Sequence, residues 1–137
     1  MWKVYALLSA FFAALTAVFA KLGVRDVDAN LATAIRTTVI LFITWGVVFI
    51  LGGQGAVREL SRRTIWMLVL SGVTTGLSWL FYFKALQVGE VSRVAPVDKL
   101  SVAMAMVLAF VILGEAPDVK TIVGGMLIVA GSIVIIW

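Results

Sequence analysis

Asp98 and Lys99 stand side by side in an otherwise apolar run, S-R-V-A-P-V-D-K-L-S-V-A-M-A-M-V-L-A-F-V-I-L-G-E over 92–115. A full charge carried into hydrocarbon costs about 2.5–3.5 kcal/mol on insertion scales. Adjacent ionisable groups in such a run therefore need a partner, water or a ligand. Their chemistry is that of ion pairing and charge recognition. The chain contains no histidine and no cysteine, which removes imidazole bases, thiolate nucleophiles, disulfides and most transition-metal sites. No metal and no cofactor is expected. An intramembrane enzyme is the poorest reading, since Asp98 is the one aspartate well inside an apolar run.

The elements that position this pair are set by composition. Of 137 residues, 63% are hydrophobic and 13% charged, about half the charged share of a soluble domain. The mean hydropathy is +1.14. Five runs reach the roughly 20 residues needed to cross a bilayer: about 2–20, 30–51, 64–84, 92–113 and 118–137. The expected fold class is an all-α integral membrane protein of five transmembrane helices, occupying 1–137 as a single domain. Lys3 and the small residues that close the first run imitate a signal peptide, but that run is read as a span. The net charge of +4 is spread between apolar runs and suits lipid headgroups; no nucleic-acid partner is expected.

Arg36 falls about 9 Å into the second helix when counted from Asn30, and Lys99 about 10 Å into the fourth when counted from Ser92. Both helices are even-numbered spans and start on the same side. Arg36, Asp98 and Lys99 are thus expected at similar depth. A snorkelling Arg36, or a purely structural Arg36–Asp98 ion pair, is the plainer alternative. Along the fourth helix, Asp98, Ser101, Ala105 and Ala109 make a small-residue stripe suited to close packing. Pro96, Lys99, Ala103, Met106 and Phe110 make a bulkier face that can line a cavity. Pro96, one turn in, is expected to do little harm to the helix. Trp79 and Tyr82 on the third helix read as interfacial anchors or as ligand contacts. The candidate substrate-binding set is Lys99, Arg36, Asp98, Met106, Trp79 and Tyr82. In the fifth helix, Gly124, Ile128 and Gly131 share a face on which another helix can pack closely.

The segments F-A-A-L-T-A-V-F-A-K-L (12–22), A-I-R-T (34–37), A-P-V-D-K-L-S-V (95–102) and F-V-I-L-G-E (110–115) resemble the EamA-type domain of the drug/metabolite transporter superfamily. Typical members join two such five-helix domains as inverted repeats around a substrate path; the resemblance here covers one. The last helix is also similar to that of small multidrug resistance transporters, which dimerise through it. Their membrane-embedded glutamate in the first helix has no counterpart here, because that helix holds no carboxylate.

The charges complete the reading. Lys3, Arg58, Arg62, Arg63 and Lys120 lie on the Met1 side, five in all. Lys21, Arg25, Lys84 and Arg93 lie on the other, four in all, with Arg36 and Lys99 inside the membrane. Orientation follows Lys/Arg bias, and five against four barely specifies one. The expectation is a transporter of small polar metabolites in the plasma or inner membrane. It would work by alternating access as an antiparallel homodimer, with Gly124, Ile128 and Gly131 at the seam. Two copies would rebuild the inverted repeat. Membrane-embedded positive charge favours an anionic or zwitterionic solute. The runner-up is a small-multidrug-resistance-like cation exporter with Asp98 in place of the glutamate. A third class is a non-transporting or flippase subunit paired with an unlike chain.

Overall fold

Backbone groups in hydrocarbon must be satisfied within their own segment, and the apolar runs accordingly form helices. A computed structural model describes all residues 1–137. The spanning helices are α1 (Trp2–Gly23), α2 (Ala29–Ile50), α3 (Arg62–Val88), α4 (Val91–Leu113) and α5 (Val119–Ile136), and the chain contains no strand. Most of their large apolar side chains face outward, as surfaces solvated by lipid do.

Local chemistry sets the ends. Of the two N-caps considered for α2, Asp28 serves: its carboxylate accepts from the Asn30 N–H at 2.9 Å and the Leu31 N–H at 3.1 Å. Ser61 does the same for α3, accepting from the Thr64 N–H at 3.1 Å. The connector read as a plain interfacial turn contains a 3₁₀ helix, Gly53–Glu59, entered through Gly52 at φ 71°, a conformation that glycine adopts without a Cβ penalty. The third span outruns its apolar stretch at both ends, adding 62–63 and 85–88.

Two compact units divide the chain, one of Phe19–Gln87 and one of Met1–Val18 with Val88–Trp137. In the first, Ala20, Val24, Ala29, Phe83 and Leu86 are buried together with Thr33. One end of this unit is tied by side chains reaching carbonyls. Lys21 Nζ donates to the Leu86 carbonyl at 2.6 Å, and Gln87 Nε2 donates to the carbonyls of Val24 at 3.3 Å and Val27 at 2.7 Å.

In the second unit α4 packs on α5. The Ser132 hydroxyl donates to the Pro96 carbonyl at 3.1 Å, across 36 residues. Gly125 is buried where a Cβ would sit 3.1 Å from the Met106 sulfur. The fourth span is not the continuous helix expected. It breaks at Lys99 into Val91–Asp98 and Leu100–Leu108, and ends in a π-type turn over Ala109–Leu113. Pro96 lies inside the first piece, one turn before the irregular residue. The Lys99 N–H turns back to the Pro96 carbonyl at 3.1 Å.

Candidate functional site

A polar side chain in a span either satisfies itself locally or stays available. The threonines of α2 and α3 take the first course. Thr33, Thr37, Thr38 and Thr44 donate to carbonyls one turn back at 2.6–3.0 Å, and Thr74 and Thr75 do so at 2.8–3.0 Å. The charged residues deeper in the spans are found at two places, one in each unit.

In the Phe19–Gln87 unit, the Arg36 guanidinium carbon lies 4.2 Å from the centre of the Trp79 ring and 5.4 Å from that of Phe83. Trp79 and Phe83 are one turn apart on α3 and so share a face. Tyr82 sits beside them, its ring 6.5 Å from that of Phe83 in an edge-on arrangement. Phe83 is buried and Arg36 half-buried. A cation over an aromatic face gains about 0.5–2 kcal/mol, less than the penalty of about 2.5–3.5 kcal/mol for an arginine at the centre of a span. The rings hold the guanidinium in place without neutralising it.

In the other unit, Lys99 Nζ lies 3.4 Å from Asp98 Oδ2. Asp98, considered as the partner of Arg36, thus has its counter-charge on the adjacent residue. The pair stands at the break in α4, with the Lys99 side chain 55% and the Asp98 side chain 34% exposed. Beyond it runs a groove of about 390 Å³ between α4 and α5. Ala103, Met106 and Phe110 line it from α4, and Gly125, Val129 and Ile133 from α5. Thr121 is its single polar lining residue. The bulky face of α4 therefore both borders a cavity, as its pattern predicts, and packs on α5. Close packing was expected instead of the Asp98 stripe, whose Ser101 and Ala105 are exposed. Glycine at 125 in place of a larger residue explains the exchange, because it admits Met106.

Of the predicted substrate set, the structure brings Arg36 together with Trp79, Asp98 with Lys99, and Met106 with the groove wall. Phe83 was missed, although its position four residues after Trp79 was a readable signal. Gly125 and Ser132 were also missed. They repeat the seven-residue spacing of Gly124 and Gly131 one position later, and they form the seam inside the chain. A Cβ at Gly124 or Gly131 would meet nothing within 4 Å, and Gly131 is exposed.

Five helices long and apolar enough to span define a multi-pass α-helical membrane protein. The chain belongs to the EamA-like transporter family, which matches it over residues 1–137. It is similar to a Sinorhizobium protein described as an uncharacterized transporter in the cobO 3′ region, with 46% identity over 134 residues, 98% of this chain and 95% of that protein. No solved structure matches it. The family and this relative point to a membrane transporter and away from an enzyme.

Proposed function

We propose that this protein moves small polar metabolites across the plasma or inner membrane by alternating access, as an antiparallel homodimer. The observation that carries the reading is the tightened turn of α4 at Lys99, where the Lys99 N–H bonds three residues back, with Asp98 and Lys99 paired inside a spanning helix. Ionisable residues inside a span are costly and mark solute or ion pathways where they are kept. The pairing of two copies is supported by the near-even distribution of Lys and Arg and by the open surface at Gly124 and Gly131. Asp98 is a poor receptor for a cationic drug, since Lys99 already lies on it at 3.4 Å.

The test is uptake into liposomes holding the purified protein, screened across amino acids, sugar phosphates, nucleosides and quaternary cations. Saturable uptake of one polar class above empty liposomes is expected. Uptake of quaternary cations alone would transfer the role to Asp98 and the exporter reading. No uptake of any class would remove the proposal.

A further inference from the structure

The Arg36 guanidinium stands over two rings with Tyr82 as a further electrostatic neighbour, and no carboxylate pairs with it. Its central carbon lies 4.2 Å from the Trp79 ring centre and 5.4 Å from that of Phe83. The hydroxyls nearest along α2, those of Thr33 and Thr37, donate to carbonyls of their own helix. They are spent within the helix. Within its unit Arg36 pairs with no carboxylate, and the residue is half-buried rather than sealed in the interior. Five N–H donors in a rigid fork are thus confined beside two rings at a half-buried position. That fork matches carboxylate and phosphate geometry, two parallel N–H···O bonds at a time. A bare ammonium at this position would give a point charge without such geometry.

We propose that Arg36, fixed against Trp79 and Phe83, is the receptor for an oxyanion, a carboxylate or phosphate group, of the transported solute. The proposal rests on the transporter reading and narrows it to anionic or zwitterionic substrates. The rings contribute in two ways. They confine a flexible side chain, so less rotamer freedom is lost when the anion arrives. They also offer no strong hydrogen-bond acceptor, so they do not compete with an anion for the guanidinium N–H groups. An oxyanion can come from a soluble solute or from a lipid headgroup, and the experiment separates the two.

The full-length protein is placed in vesicles of phosphatidylcholine alone and titrated with inorganic phosphate and with acetate, following tryptophan fluorescence. A saturable change is expected, lost in Trp79→Phe because Trp79 is the ring beneath the guanidinium. Arg36→Gln should weaken the apparent affinity at least tenfold. Arg36→Lys, which keeps the charge and loses the fork, should fall between, and Arg93→Gln, in an exposed pair, should bind as wild type. A response that appears only when phosphatidylglycerol is added would assign the site to lipid and overturn the proposal. So would the absence of any response, or one that survives Arg36→Gln. Uptake at the wild-type rate in Arg36→Gln would leave the transporter reading standing and remove this inference. Arg36-dependent binding without uptake in the wild type would do the reverse.

Discussion

Arg36 and Lys99 carry the same charge into spanning helices, yet the structure treats them differently. Arg36 is held by two rings, whereas Lys99 leans on its neighbouring carboxylate at a helix break and keeps over half its side chain exposed. Removing Lys99 takes the counter-charge from Asp98, and because the pair is partly exposed a modest loss of stability is expected. Lys99→Ala is expected to reduce liposome uptake while expression and dimer fraction in size-exclusion runs stay unchanged; uptake at the wild-type level would take Lys99 out of the site. Asp28 is the contrasting case, a residue with a structural duty. Its carboxylate satisfies two N–H groups that α2 cannot satisfy itself. Asp28→Ala should cost about 1 kcal/mol in a denaturant titration in detergent, with Asp26→Ala close to neutral as the comparison. The sequence exposed these residues because charge among apolar neighbours is conspicuous. Phe83 was legible only as a face-mate of Trp79, four residues on; its partnership with Arg36 needed the placement of α2 against α3.

At the scale of elements, apolar length alone located five spans, since a bilayer imposes one length on every crossing helix. Their ends were less legible. The K-A-L-Q-V stretch that closes α3 is too polar for a hydropathy window, yet the helix continues through it and Gln87 caps neighbouring carbonyls. The α4–α5 seam was misplaced for a related reason. Gly124 and Gly125 are adjacent, and composition gives both the same packing value, so only the geometry selects Gly125. Its contact with Met106 is already tight at 3.1 Å from a notional Cβ. Gly125→Leu should overpack this seam and cost about 1–3 kcal/mol, read as a lower melting temperature in detergent. Combining it with Met106→Ala should restore much of the loss, because the smaller side chain vacates the space. If the double variant melts no higher than Gly125→Leu alone, the seam is not where the destabilisation arises.

For the molecule as a whole, an odd number of spans and a near-balance of basic residues bear on how copies assemble. Each insertion is set by which flank carries more Lys and Arg. With five on the Met1 side and four on the other, the chain should enter the membrane both ways. Reporter fusions at the C-terminus should then signal from both sides, and two added lysines in one connector should collapse the signal to one. A single-sided signal from the unmodified chain would instead favour an unlike partner. Opposed copies need a surface where backbones approach closely, because lipid removes most of the hydrophobic drive to associate. The face of Gly124, Ile128 and Gly131 fits that need. It is smooth, distinct from the Gly125–Ser132 seam, and nothing lies within 4 Å of a Cβ at either glycine. Gly131→Leu therefore has no neighbour to displace inside the chain and should leave the helical circular dichroism and melting temperature of the monomer intact. It should hold a second copy away, converting dimer to monomer in mild detergent and abolishing uptake. A Gly131→Leu protein that stays dimeric and transports at the wild-type rate would move the seam between copies to another helix.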